Sequence, residues 1–559
     1  MPPLLTQPTE TKPVDWFLVR HPFLALALPY PLFLLAGFAA TRVGVSTWDT
    51  VAHEDHMKWL VGMWTGQDSP LPYETMMWIG PLWEYVLAAF CAGFAFLDDP
   101  LSVRHAVTLS LLPLTLLATY HLLRRAGETA GTTLLAVALI VGNVRFLGHA
   151  LLNVKDFPFA CGYLLVTLLM WTLLRERVGT AEGLFRTPAW LVALVLLSVV
   201  PYLLRVPVLS HWLLLVLVCF GVGVFGGESV GWRRRGLVAL LPLVLGPLVV
   251  FAVSPGLWDA GASGFAFTAG LFSKFPWKGS IRLFGREYFS MALPWWYALV
   301  WVPLSWVPVG LVTLVIGGVL FVPRALREAA WLRSPRSQGP PFGSLAVWVA
   351  LFGATPWFAF LAMQPVLYDE DRHLLFAMPL LAVGAALGLR RAPERVKTAL
   401  AAVVIMSSVW SAVSWGKHAY VYKNPLLPRS ANADFMGDYW GVSTGALAQA
   451  AHDNVPDGAY LFMMGPGATL TRELERREHS LLIRTPEAKS FDLRQKPRRR
   501  SPFYVVSINR SGASRPLLDD VDAGRARVLW RDDMPRGDLA AVLVKYETRC
   551  EDCPQRLHR

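Results

Sequence analysis

Trp78-Ile79-Gly80-Pro81-Leu82-Trp83-Glu84-Tyr85-Val86-Leu87-Ala88-Ala89-Phe90-Cys91-Ala92-Gly93-Phe94-Ala95-Phe96-Leu97 carries one charged residue. A membrane-spanning helix needs about 20 apolar residues, so this stretch is long enough to cross a bilayer. If it crosses, every later segment changes sides. The rest of the chain decides against a crossing. Of 559 residues, 54% are hydrophobic and 16% charged, with mean hydropathy +0.41, 23 Trp and 30 Phe. A soluble domain carries about 25% charged residues. No aqueous surface absorbs so much apolar side chain, so most of the solvent is lipid. Disorder, a collagen and a disulfide-rich secreted module are excluded on the same grounds.

Apolar runs at 22–41, 104–123, 129–148, 157–175, 188–204, 206–226, 236–254, 295–321, 343–365, 373–390 and 397–416 predict spans. The first has no small-residue cleavage site and is expected to remain as an uncleaved anchor. Arg124-Arg125, Arg175 with Arg177, Arg233-Arg234-Arg235, the Arg324-to-Arg336 loop, and Arg390-Arg391 with Arg395 and Lys397 then fall on alternate loops, as basic cytoplasmic loops should. A crossing at 78–97 would invert all five. Pro81, Glu84 and Gly93 also argue against a clean span, so the stretch is read as a re-entrant or interfacial helical hairpin.

The expected architecture is therefore an α-helical polytopic membrane protein of about eleven transmembrane helices plus that hairpin. Residues 1–21 lie in the cytoplasm and 22–416 form the membrane domain. The outer loops are 42–77 and 256–294, and 417–559 form a small C-terminal α/β domain outside. In the tail, helices near 443–453 and 468–476 alternate with strands at 459–463 and near 503–507, 526–530 and 540–545. The net charge of +12 belongs to topology signals, with no nucleic-acid partner implied. Cys91, Cys161 and Cys219 read as small buried residues, whereas Cys550 and Cys553 lack the second pair of a zinc site and suit a local disulfide.

Polar residues crowd the outer edge in three clusters. Asp49-Thr50-Val51-Ala52-His53-Glu54-Asp55-His56 puts three acids and two histidines just past the first span. On a helix from Thr50, His53 lies one turn from both Asp49 and His56. The alternative is a helix N-cap at Asp49 with solvated neighbours. The second cluster runs from Arg145 through His149 and Asn153 to Lys155-Asp156, where Asp156 caps the next span or faces a site. An ionised Arg145 at membrane depth needs a partner. Tyr368-Asp369-Glu370-Asp371-Arg372-His373 is the third. There a guanidinium either snorkels or grips phosphate as a bidentate fork. Lys274, Lys278, Arg282 and Arg286 add a basic loop that forms an electropositive rim or a solvated face.

These residues resemble motifs of the GT-C superfamily of polytopic glycosyltransferases, nearest to the bacterial relatives of protein O-mannosyltransferases and of the lipid A aminoarabinose transferase. Asp49 to His53 is similar to a D-E-x-x-H motif. Gly148-His149-Ala150 through Asn153-Val154-Lys155-Asp156-Phe157-Pro158 is similar to G-H-A…N-P-K-D-x-P. Tyr368-Asp369, Arg372-His373 and Pro379 resemble Y-D-G-x-R-H…P. Asp438-Tyr439-Trp440-Gly441, after Tyr420 and Asn424-Pro425, resembles a D-Y-W-G element. The resemblance covers roughly 40–440. Thr50 replaces the usual Glu, unless Glu54 or Asp55 substitutes, and Glu370 replaces a Gly.

The resemblance implies transfer of a sugar from a polyprenyl-phosphate donor to an acceptor hydroxyl, outside a bacterial-type cytoplasmic membrane, with inversion. The amino terminus would lie inside. Asp49 would be the base. Asp156 would orient the acceptor or help to hold a divalent ion if one is used. Lys155, Arg372 and His373 would hold the phosphate, with His53, Glu54, Asp55, His149 and Asn153 in support. Expected partners are the lipid-linked donor, a lipid, glycan or protein acceptor, and membrane lipids. A transporter or lipid flippase is the alternative, although transporters tend to place ionisable groups near the midplane.

Overall fold

The computed structural model describes residues 31–32, 47–67, 80–178, 188–205, 210–225, 231–258, 275, 277, 279–329, 344–426, 435–475, 482–484, 502–509 and 515–546, apart from 98, 458, 465, 466 and 536. The first expected span, nearly all of it, lies outside these residues, as do Lys274, Lys278, Cys550 and Cys553. Among the described residues six helices are long and apolar enough to cross a membrane. They are Pro100–Arg125, Asp156–Arg177, Trp232–Val253, Pro308–Ala329, Leu345–Met363 and Glu394–Val421. Shorter apolar helices complete the bundle at Ala130–Gly142, Pro188–Leu204, His211–Phe220 and Met378–Gly388. Large apolar side chains face outward on the peripheral helices. Leu240 is 58% exposed, Val319 67% and Trp410 76%, an arrangement stable only against lipid.

Ion pairs sort the loops into two ends. At one end Arg125 holds Glu176 at 2.5 Å, Arg324 and Arg390 approach Glu128 at 3.7 and 3.9 Å, and Arg175 donates to the Ala126 carbonyl at 2.9 Å. At the other end, Lys155 and Arg372 both reach Asp49. Asp49 therefore lies with the loops around 155 and 372, while Arg125 lies at the opposite end. Only the Pro100–Arg125 helix is needed to join them, so the described residues 80–97 make no net crossing. They contain one helix in place of the expected hairpin, Leu82–Gly93, and a 3-10 turn, Ala95–Leu97, packed on the Trp48–Thr65 helix.

Two expected spans are broken. Residues 129–148 divide at Asn143 into Ala130–Gly142 and Val144–Leu152, and 295–321 divide at Trp306-Val307 into Tyr297–Ser305 and Pro308–Ala329. The sequence reads as unbroken at both places because hydropathy does not report dihedral angles. The breaks meet. Val307 N–H donates to the Gly142 carbonyl at 3.0 Å, Trp306 Nε1 to the Leu139 carbonyl at 2.8 Å, and Asn424 Nδ2 to the Trp306 carbonyl at 2.9 Å. Irregular backbone at membrane depth is tolerated where protein groups satisfy it, as here.

The tail is a mixed five-stranded sheet. Strands β3 (Tyr460–Met464), β4 (Leu482–Arg484), β5 (Phe503–Ile508), β6 (Arg527–Asp533) and β7 (Leu539–Tyr546) are ordered β4-β3-β5-β7-β6. The parallel β3–β4 and β3–β5 pairs use crossover segments, and β7 returns antiparallel to β5 and β6. Helices Thr444–Asn454 and Gly467–Glu475 lie where the sequence predicts them; strand β4 and helix Arg515–Asp522 were not foreseen. Asp532 of β6 ties the sheet to the membrane domain through Lys417 at 2.5 Å. In the 256–294 loop, β1 (Ser280–Leu283) and β2 (Arg286–Phe289) form a hairpin that turns through Phe284 and Gly285 at φ 50° and 74° and carries Arg282 and Arg286.

Candidate active site

Asp49 occupies the first turn of the Trp48–Thr65 helix, where a carboxylate complements the free N–H groups. Its Oδ2 takes a bond from Arg372 Nη2 at 2.7 Å and one from Lys155 Nζ at 3.3 Å. Arg372 uses its other nitrogens on two further acids. Nε donates to Asp156 Oδ2 at 2.7 Å and Nη1 to Asp369 Oδ2 at 2.9 Å. One guanidinium thus joins carboxylates from three segments of the chain, and its charge is expected to hold them against mutual repulsion. Tyr368 and Trp440 cover it, with ring centroids 5.6 and 5.0 Å from the guanidinium carbon. Arg372 is buried, not snorkelling.

Local chemistry sets Lys155 and Asp156 in place. Asn153 Oδ1 accepts the backbone N–H groups of Lys155 at 3.1 Å and Asp156 at 2.7 Å, a side-chain turn that starts the next helix. Asn153 Nδ2 meets His149 Nδ1 at 2.9 Å and Asp156 Oδ2 at 3.2 Å. His149 in turn packs edge-on to Trp440, 5.3 Å between centroids. Asp438 accepts N–H bonds from Val442 and Ser443, both at 2.8 Å, and fixes the segment that presents Trp440. Three of the four sequence motifs therefore reach Arg372 directly, and the fourth reaches it through Trp440.

Gly148 explains its own place in this arrangement. A Cβ there would lie 2.1 Å from the Tyr420 backbone nitrogen. Neither backbone can yield cheaply, so Gly148→Ala is expected to cost about 1–3 kcal/mol by overpacking. The check is the thermal midpoint of the purified protein, which should fall by several degrees.

Several expected participants do not bond to Arg372. Glu54 pairs on the surface with Lys58 at 2.9 Å, Asp55 is half-exposed, and His53 is buried against Glu84 at 2.8 Å. No second carboxylate from Glu54 joins Asp49 in the Arg372 bonds. His373 stays beside the cluster, within electrostatic reach of Arg205, Arg372, Lys155 and Asp49, and packs edge-on to Tyr368, 4.5 Å between centroids. Arg145, near the end of its apolar run, has the partners that its burial demands, Glu370 at 2.6 Å and Asp371 at 2.8 Å.

Arg205 was not anticipated. It ends the Pro188–Leu204 helix and pairs with Asp156 Oδ1. Its signal was present: a lone Arg between two apolar runs of the sequence, 188–204 and 206–226. Asp369 was quoted only as part of a motif. Cations occupy the Asp156 oxygens, which does not suit a metal ion there. Among the described residues, the group whose donor atoms suit a metal is instead His53, His56 and Glu84.

Electrostatics divide the cluster. Burial raises the Asp49 carboxyl, but Lys155 and Arg372 outweigh it and hold the group well below the usual carboxylate range. Burial, reinforced by Arg372, pulls Lys155 down to about 7 against the attraction of Asp49. Arg372 is held above its ordinary value by Asp49, against burial, and stays charged.

No family model and no curated protein matches the chain. Among solved structures it is similar to ArnT from Cupriavidus metallidurans bound to undecaprenyl phosphate. That likeness has TM-score 0.46 at 14% identity and covers 96% of this chain and 98% of that one. The apo state of the same protein gives TM-score 0.48 at 14% identity, over 94% and 98%.

Proposed function

We propose that the protein is a membrane glycosyltransferase that moves a sugar from a polyprenyl-phosphate donor to an acceptor hydroxyl, with inversion, at the end of the bundle that carries Asp49. The observation that supports this is the Arg372 bridge between Asp49 and Asp156, two acids 107 positions apart, with Lys155 and Arg205 beside it. The cluster sits at one edge of the membrane domain, where a lipid headgroup meets an aqueous acceptor. A carrier's ionisable groups belong at the midplane instead. In the same proposal this end faces away from the cytoplasm of a bacterial-type inner membrane.

The chemistry is a single displacement. The acceptor oxygen bonds to the anomeric carbon while the bond from that carbon to the phosphate oxygen breaks, and its electron pair stays on the phosphate. The leaving lipid phosphate gains a negative charge, which Arg372, Lys155 and Arg205 would meet with fixed positive charge. The acceptor proton goes to Asp49. Before donor binds, Asp49 is a weak base because two cations hold it. A phosphate that competes for those cations would raise its basicity as the acceptor arrives.

Purified protein with a radiolabelled polyprenyl-phosphate sugar should release free lipid phosphate in step with acceptor labelling. Flux of the intact lipid-linked sugar across sealed vesicles, with no cleavage, would replace the transferase with a flippase.

Lys155 sets a pH dependence. A phosphate-holding Lys must be protonated, and in the free enzyme it loses its proton near pH 7. The profile of kcat/KM reports free-enzyme groups. It should therefore decline as pH rises through about 7, and Lys155→Arg should remove that decline because guanidinium stays charged. An unchanged alkaline limb in Lys155→Arg would take Lys155 out of donor binding.

A further inference from the structure

Behind Asp49 the Trp48–Thr65 helix carries a second polar group that the proposed reaction does not use. His53 and His56 are 1% and 0% exposed and face Glu84, 3% exposed, on the Leu82–Gly93 helix. One donor atom from each lies within 4.8 Å of the others. His53 Nδ1 bonds Glu84 Oε1 at 2.8 Å, and Glu84 Oε2 takes Arg104 Nη2 at 3.0 Å. Among the described residues, His53 Nε2 and both ring nitrogens of His56 have no hydrogen-bond partner. An unsatisfied buried polar atom costs about 1–3 kcal/mol, and the apolar surroundings, Met57, Leu87, Val103 and Val107 among them, offer none. Each ring can turn one lone pair toward a partner shared with the Glu84 carboxylate, one donor atom per residue.

We propose that His53, His56 and Glu84 form a binding site for a divalent cation of zinc type. Two imidazoles and a carboxylate are a ligand set that zinc takes with a further position left for water. Bonds of about 2.0–2.1 Å to nitrogen bring ligand atoms to roughly 3.4 Å apart, so the group tightens by up to an ångström or so on binding. Arg104 opposes the ion by charge but also holds Glu84 Oε2, which leaves Oε1 to turn toward the metal. The ion would clip the helix bearing Asp49, one turn before His53, onto the neighbouring Leu82–Gly93 helix. A site of this kind acts by positioning and is separate from the sugar-transfer proposal.

The test uses the full chain in detergent, with any affinity tag removed and metals stripped by chelator. Cobalt(II) titration should give visible ligand-field absorption that saturates at one ion per chain and is displaced by zinc. Zinc should raise the thermal midpoint by about 3 °C or more, because binding only the folded form adds stability. His56→Leu is the decisive variant, since among the described residues the His56 ring makes no hydrogen bond that its loss would break. It should fold, weaken zinc binding about 100-fold or more and abolish the midpoint shift. If the wild type binds no zinc below about 100 μM, or His56→Leu binds equally well, the site is not a metal site. The orphan nitrogens would then be met by water or by nothing, and His56→Leu would raise the midpoint of metal-free protein. None of these readings involves transfer of sugar, so they stand apart from the outcome of the transferase assay.

Discussion

Asp49→Asn is expected to reduce sugar transfer by about 10²- to 10⁴-fold, the range that general bases contribute, while the protein inserts and folds as before. The substitution keeps shape and removes charge. Asp49 is the least buried acid of the cluster, 32% exposed at its side chain, and Arg372 retains Asp156 and Asp369 when it is gone. The stability lost, with the Lys155 contact, is expected to be smaller than at Asp156. Asp156→Asn should behave differently. Asp156 is 1% exposed and lies between Arg372 and Arg205, so neutralising it leaves two buried cations short of a counter-charge. A loss of both activity and thermal midpoint is expected there. Transfer rates and midpoints measured on the two variants separate a chemical role from a positioning one. An unimpaired Asp49→Asn enzyme would remove Asp49 as the base.

The second large effect is at Arg145. Its Nη1 holds Glu370 and Asp371, Nε donates to the Tyr422 carbonyl at 2.6 Å, and Trp301 covers the guanidinium at 4.9 Å. The side chains of Arg145, Glu370 and Asp371 are all 0% exposed. Arg145→Met would leave two carboxylates buried without their cation, at about 3–5 kcal/mol. Glu370 also sits at φ 61°, in the left-handed region where Gly rests without penalty. This accounts for the Gly of the resembling motif and for what replaces it here, a strained Glu held by Arg145. Glu370→Gly should accordingly be tolerated, because it relieves strain and leaves Arg145 paired with Asp371. In the double variant it should recover part of the Arg145→Met loss. Chemical denaturation of the four proteins gives the coupling directly. Additive losses would mean that Arg145 does not hold the loop through Glu370.

Residue order alone determined the membrane class, and its basic alternation led to the expectation, which the described residues 80–97 fit, that 78–97 does not cross. These depend on composition and charge, which are local properties summed along the chain. The same holds for most strands and helices of the tail, where period-2 and period-3.6 patterns are distinct. The sequence also marked Asp49, Asp156 and Arg372 as interesting, since ionised groups at a membrane edge are costly enough to need a reason. It did not say that one guanidinium would bind all three acids, that Arg205 would face Asp156, or that His53 would turn away to Glu84. Nor did it reveal the paired breaks at Asn143 and Trp306, which bring Arg145 beside the loop at 370. Those arrangements were decided by the tertiary structure, because the partners are up to 323 positions apart. Pairing at such separations is fixed only when packed helices bring their ends together, and no local pattern encodes it.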